Sequence, residues 1–193
     1  MGGGYGCVNP LPGTAFTSKA DNLLDNADEV TTTLSGNKAL YAQLGEAVET
    51  ANRDTDFGRF RELGIIIDKQ VPYRAGAADI ADTFFNERND YVGLVAAGCG
   101  GVCRHRGAYY NDAARRLGLD TNAIKFKTGK YDDIGEEIGH LTTIFTTNDQ
   151  VFVADPGRIP DPLSYYLSTK YPKASNFEKY SHTQKQWMPF NPE

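Results

Sequence analysis

Residues 140–155 read HLTTIFTTNDQVFVAD, and this stretch decides the fold that the sequence predicts. Apolar and polar residues alternate on both sides of the central Asn-Asp pair, as in two β-strands that each bury one face. An Asn-Asp pair suits a two-residue hairpin turn, and such a turn places Thr142 opposite Asp155. His140 then lies one diagonal step from Asp155 on the same face of the sheet, within reach of its side chain.

Helical periodicity dominates the chain before this hairpin. Apolar residues recur at helical spacing in several segments, whereas 52–61 is polar and turn-rich and 63–67 fits a short strand or a helix end. Helices that come first and antiparallel strands that come later predict an α+β fold, with a loop-rich tail beyond Pro156. The predicted helices cover about 18–34, 40–51, 77–88, 103–117 and 163–169, and a further strand covers 123–127.

Composition excludes several classes of protein. The chain has 193 residues, of which 40% are hydrophobic, and its net charge is −5. That length suits one core. No basic patch indicates a nucleic-acid partner, and no apolar run approaches the roughly 20 residues of a membrane-spanning helix. Neither a cofactor motif nor a calcium loop is present, so we expect no cofactor.

The first residues differ in composition from the rest. Residues 1–17 are rich in Gly and Pro and predict a linker or flexible lead-in, which leaves 18–193 as a single domain. The start lacks the charged and apolar regions of a signal peptide. The chain is therefore expected to be a soluble domain of unknown location, which a larger secreted protein could carry.

The stretch AAGCGGVCRHRG at 96–107 concentrates reactive side chains. The odd number of cysteines, with Cys7 elsewhere, argues against a disulfide framework. Cys99, Cys103 and His105 could bind zinc together with His140, but their spacing does not give the two tight pairs of structural zinc sites. A redox pair would favour C-x-x-C. We therefore interpret Cys99 as buried packing, with no metal expected.

Cys103 begins a predicted helix, which favours a reactive thiolate. The unpaired N–H groups and dipole of a helix N-terminus lower a thiol pKa, and the preceding glycines leave further N–H groups free for an oxyanion. His140 and Asp155 would supply an imidazole and the group that orients it. Two plainer interpretations stay open: His140 as a structural residue, and Asp155 as a turn former before Pro-Gly.

Three motifs carry a resemblance to a known family. Gly101-Val102-Cys103-Arg104, then Gly-His at 139–140, then Val-Ala-Asp-Pro at 153–156 resemble in order and spacing the motifs of the transglutaminase-like superfamily of papain-fold cysteine enzymes. The resemblance covers about 89–157. It implies a nucleophile at the N-terminus of a central helix packed on an antiparallel sheet. Leu-Thr-Thr at 141–143 departs from the pattern, since many relatives carry an aromatic residue there.

The same resemblance implies roles for the site residues. Cys103 would be the nucleophile, His140 would polarise the thiol and protonate the leaving amine, and Asp155 would hold the imidazole. The Cys103 N–H would be one oxyanion donor, and the candidates for the second donor are Tyr73, Gln70 and Tyr91. Side chains without an implied role are His105, expected at the surface or in packing, and His182 and Trp187, expected to cover the core or a partner.

The implied activity is thiol-dependent acyl transfer on amides. Protein glutamine is the expected substrate, either deamidated or crosslinked to an amine acceptor, as in a transglutaminase or glutamine deamidase. The domain could belong to a bacterial effector or toxin. The alternatives are a cysteine peptidase of the same fold and a non-catalytic binding domain.

Overall fold

The computed structural model of the protein describes residues 35–51, 53–85 and 90–192, with only the backbone of 35–37. The predicted lead-in at 1–17 and the predicted helix at 18–34 lie outside the described residues.

Helices form the first part of the described chain. Their bounds are α1 Ser35–Thr50, α2 Asp56–Gln70, a 3-10 turn Ala75–Ala77, α3 Ala78–Asp82, α4 Tyr91–Ala97, α5 Cys103–Arg116 and, between strands, α6 Leu163–Lys170. The second, fourth and last predicted helices correspond to α1, α5 and α6. The third predicted helix is shorter than expected, because the residues after α3 form turns. The short helix α4 was not predicted.

Helix α2 corrects part of the sequence interpretation. The segment expected to be turn-rich at 52–61 is helical from Asp56, and 63–67, expected as a short strand or a helix end, lies within the helix. The Thr55 hydroxyl caps the helix by accepting a hydrogen bond from the Gly58 N–H at 3.1 Å. Phe60, Leu63 and Ile67 then fall on one buried face. Arg53, Asp54 and Thr55 precede the helix, whereas Asp56 and Arg61 lie on its exposed side.

One antiparallel sheet follows, with strand order β4-β3-β2-β1-β5-β6. Its strands are β1 Thr121–Tyr131, β2 Glu137–Thr147, β3 Gln150–Ala154, β4 Asp161–Pro162, β5 Ser175–Ser181 and β6 Gln186–Pro189. The predicted α+β class is thereby confirmed, but the loop-rich tail is wrong, because β5 and β6 extend the sheet beyond β1. None of the helices within the described ranges has the length and apolar character needed to cross a membrane.

The β2–β3 hairpin has the predicted register. The turn residues Asn148 and Asp149 have φ angles of 49° and 59°, as a type I′ turn requires. Ile144 pairs with Val153 and Thr147 with Gln150. Because side chains alternate along a strand, His140 and Asp155 share a face of the sheet.

Both faces of the sheet are covered. One face packs against α2 and α5, with Leu141, Phe145 and Tyr180 in the larger core cluster, and α1 packs on these helices. The opposite face carries Ile144 and Val153, which pack with side chains of α6. Trp187 also packs against the larger core, with its ring centroid 5.5 Å from that of Tyr180. The same Tyr180 ring lies 4.9 Å from His182, and both tail residues therefore contact a core side chain.

Helix α5 approaches β2 closely at Gly107. A Cβ at this position would lie 2.4 Å from Leu141 Cδ2 and 3.2 Å from the Leu141 carbonyl oxygen. The Thr143 hydroxyl donates to the Gly107 carbonyl oxygen at 3.2 Å. This contact positions Cys103, one helical turn earlier, near the strand residues that surround His140.

Candidate active site

Cys103 is the first residue of α5, and its thiol is free and half-buried. Val102 before it is extended, so the chain turns directly into the helix at the cysteine. The His140 imidazole and the Leu141 backbone N–H interact with the sulfur and lower the pKa of the thiol. Residues of β2 thus contact the nucleophile candidate from the side at which the helix begins.

His140 also contacts Asp155. Its Nε2 lies 3.0 Å from Asp155 Oδ1. Phe126 and Tyr171 pack against the imidazole, with ring centroids 5.4 and 5.3 Å away. The predicted meeting of these three polar side chains is therefore present in the structure.

Tyr166 is a fourth member of this hydrogen-bonded group. Its hydroxyl donates to Asp155 Oδ2 at 2.9 Å, and its oxygen lies 3.2 Å from His140 Nε2. The side chain is buried on α6. Sequence reasoning predicted the helix but not this contact, because no local pattern indicates which helical tyrosine reaches a strand residue.

The electrostatics of the group favour its ionised form. Burial opposes the thiolate, but the His140 hydrogen bond and charge and the Leu141 N–H together lower the pKa of Cys103. Burial likewise opposes the imidazolium, yet hydrogen bonds with Asp155 and Cys103 raise the pKa of His140 well above its usual value. These opposite shifts favour a thiolate–imidazolium pair.

Asp155 remains ionised beside this pair. Burial would raise its pKa, but the hydrogen bond and positive charge of His140, with hydrogen bonds from Thr142 and Tyr166, lower the pKa to about 2. The carboxylate can therefore orient the imidazole and stabilise its charged form at neutral pH.

Asp155 also begins a turn, as the plainer interpretation expected. The Arg158 N–H donates to the Asp155 carbonyl oxygen at 3.0 Å, and Gly157 has a φ of 81° that favours glycine. The Gly157 N–H donates to the Gly64 carbonyl oxygen of α2 at 3.0 Å. Turn formation and the contact with His140 are thus compatible uses of the same residue.

A buried ionic cluster lies behind the start of α5. Asp82 of α3 accepts two hydrogen bonds from Arg104, at 3.0 and 2.7 Å, and lies 2.7 Å from His105 Nε2. The other ring nitrogen of His105 accepts the Val102 N–H at 3.3 Å. His105 is fully buried, so the expectation of a surface position is wrong and that of packing is confirmed. No sequence signal paired Asp82 with it.

The structure corrects the interpretation of Cys99 and the glycines. Cys99 is buried as expected, but it is disulfide-bonded rather than a simple packing residue. The Gly101 N–H is not free for an oxyanion, because it donates to the Pro72 carbonyl oxygen at 3.1 Å. His105, one of the four side chains considered as zinc ligands, contacts Asp82 instead. Across the described ranges, no group of three His, Cys, Asp or Glu side chains could hold a metal.

The three candidates for a second oxyanion donor have different surroundings. Tyr91 is buried and donates to Asp112 at 2.8 Å. The Gln70 side-chain oxygen accepts the Tyr109 hydroxyl at 2.9 Å. Tyr73 is 58% exposed, and partial burial together with the nearby Cys103 charge raises its pKa. The Tyr73 hydroxyl therefore lies within the electrostatic reach of the thiol.

The sequence of the chain matches no protein-family model. It also matches none of the curated proteins with which it was compared.

Proposed function

We propose that the protein is a thiol-dependent acyl-transfer enzyme that acts on amides, with Cys103, His140 and Asp155 as its catalytic residues. The observation that carries the proposal is the position of the His140 imidazole, which lies 3.0 Å from the Asp155 carboxylate and lowers the pKa of the Cys103 thiol. A nucleophile, a base and an orienting group in mutual contact are what covalent acyl transfer requires.

The reaction would proceed through a thioester. The Cys103 sulfur attacks the amide carbonyl carbon, and the negative charge on the carbonyl oxygen is stabilised by the Cys103 N–H and the Tyr73 hydroxyl. As the C–N bond breaks, His140 gives its proton to the leaving nitrogen. Water or a primary amine then attacks the thioester, gives a proton to His140, and releases the acid or a new amide with the free thiol.

The fold supports the family resemblance. A central helix that begins at the nucleophile candidate packs on an antiparallel sheet. His140 lies on β2, and Asp155 directly follows the adjacent strand β3. This arrangement agrees with a transglutaminase-like core. Because that family acts on protein glutamine, we propose glutamine side chains as the substrate and a lysine amine or water as the acceptor.

Ammonia release from dimethylated casein, with and without a fluorescent primary amine, tests the proposal. Wild-type protein is expected to release ammonia, and amine incorporation would identify crosslinking, whereas release without incorporation would identify deamidation. The matched control is Cys103→Ala. New casein N-termini without ammonia would identify a peptidase instead, and equal ammonia release by wild type and Cys103→Ala would contradict the proposal.

A further inference from the structure

Arg106 makes contacts that play no part in the proposed catalytic steps. It lies three residues after Cys103 on α5, so the two side chains project from the same side of the helix. The guanidinium is buried, with 7% of the side chain exposed. One of its nitrogens, Nη2, donates both to the Asp68 carboxylate of α2 and to the Pro156 carbonyl oxygen, the latter at 2.8 Å.

We propose that Arg106 is a positioning residue that fixes Asp155 relative to Cys103, and that Asp68 holds Arg106 in place. Pro156 directly follows Asp155 in the chain, so this hydrogen bond fastens the Asp155 turn to the helix that carries the nucleophile. The consequence for catalysis rests on the proposed function, whereas the effect on the thiol can be measured without it.

The turn at 155–158 packs closely against α2. A Cβ on Gly157 would lie 2.4 Å from the Asp68 carboxyl carbon, and the Gly157 N–H bonds to the Gly64 carbonyl oxygen. Two elements, α2 and α5, therefore hold the middle of the turn. Without Arg106 the Pro156 carbonyl would lose its donor from α5, and the nucleophile helix would no longer be hydrogen-bonded to this turn through that side chain.

A positive charge beside a thiol also favours the thiolate directly, so position and charge must be separated. The charged or titratable groups that act on Arg106 are Asp68, Asp155, Tyr73 and Cys103. Removal of Asp68 distinguishes the two effects. Loss of a negative charge favours the thiolate if charge alone matters, whereas loss of the anchor disfavours it if Arg106 acts by position.

The test measures alkylation of Cys103 by iodoacetamide against pH, by mass spectrometry, in Arg106→Gln, Arg106→Lys and Asp68→Ala. Lysine keeps the charge but is one bond shorter than arginine. Arg59→Gln is the matched control, because Arg59 of α2 donates to the Leu117 carbonyl oxygen at the opposite end of α5, at 3.0 Å. Thermal unfolding of every variant accompanies the measurement.

Below the pKa of the thiol, where the rate follows the thiolate fraction, all three variants are expected to alkylate about tenfold more slowly than wild type, equivalent to one unit of thiol pKa, while Arg59→Gln keeps the wild-type profile. If Arg106→Gln does not fold, Asp68→Ala decides, since its side chain is 45% exposed. Unchanged or faster alkylation of Asp68→Ala, or a wild-type profile in Arg106→Lys, would overturn the proposal.

The outcomes also separate this proposal from the proposed function. Slower alkylation in the three variants, with no amide turnover by wild type, would uphold the positioning role and reject the enzyme. Cys103-dependent amide turnover by wild type, together with a wild-type alkylation profile in Arg106→Gln, would uphold the enzyme and reject the positioning role.

Discussion

Replacement of Gly107 by alanine tests how the packing of α5 on β2 sets the reactivity of the thiol. The added Cβ would lie 2.4 Å from Leu141 Cδ2, whereas carbon atoms in contact are about 3.5–4.0 Å apart. The helix or the leucine must therefore move by roughly 1 Å or more. The added Cβ would also lie 3.2 Å from the Leu141 carbonyl oxygen. Cys103 is on the same helix and the Leu141 backbone lowers the pKa of its thiol, so movement of the helix or of this backbone disturbs the thiol.

The expected change in stability is the difference between two opposing contributions to the free energy of unfolding. Overpacking costs about 1–3 kcal/mol, and alanine is favoured over glycine within a helix by about 1 kcal/mol. The net destabilisation expected for Gly107→Ala is thus about 0–2 kcal/mol. Because a displacement of about 1 Å can cost about a hundredfold in rate, Cys103-dependent amide turnover should fall by one to two orders of magnitude.

The assay combines denaturant unfolding with turnover and Cys103 alkylation. Gly118→Ala is the matched control, because Gly118 follows the far end of the same helix with a φ of 78° and no atom within 4 Å of an added Cβ. Its left-handed backbone should cost about 1–2 kcal/mol without disturbing the thiol. Full reactivity in Gly107→Ala, with stability increased by the helix preference, would refute the reasoning.

Three further substitutions test the site and its support. Asp155→Asn should retain the fold and lower amide turnover by about 10²–10⁴-fold, since the imidazole loses its orienting charge; turnover within twofold of wild type would contradict this. Tyr166→Phe removes a hydrogen bond to Asp155 and should lower Cys103 alkylation about tenfold at pH values below the thiol pKa, with an unchanged profile as the opposing result. For Asp82, burial opposes ionisation, but His105 and then Arg104 lower the folded-state pKa below the unfolded value of about 3.9. The ionised Asp82 therefore stabilises the fold fully above about pH 3.9, and this contribution is lost as pH falls through the folded-state pKa. Urea unfolding should show that the difference in free energy of unfolding between wild type and Asp82→Asn shrinks in acid. A difference that does not depend on pH would reject the assignment.

The hairpin could be predicted because its information is local. The alternation of side chains and the Asn-Asp pair together fix the register, and the register alone brings His140 to the face of Asp155. The start of α5 was similarly visible, since glycines precede Cys103 and small apolar residues follow it. The relative position of helix and hairpin was not derivable from these patterns and rested on the family resemblance.

The features that sequence reasoning missed depend on contacts between distant segments. Asp82, Arg106 and Tyr166 are ordinary polar residues on helices, and only tertiary packing shows what they bind. Strands β5 and β6 were missed because adjacent polar residues such as Glu178 and Lys179 interrupt the alternation. Pairing of β5 with β1 and of β6 with β5 supplies the order that the local pattern lacks. The disulfide at Cys99 was missed because an odd cysteine count gives no pairing.

The pH dependence of Cys103 alkylation in the wild-type protein tests the central claim most directly. The account predicts rapid alkylation by iodoacetamide at pH values well below 8, because the pKa of the thiol is lowered by His140, and it predicts loss of that reactivity in His140→Ala. Alkylation that rises only near the ordinary thiol pKa of about 8.5, equally in both proteins, would contradict the account.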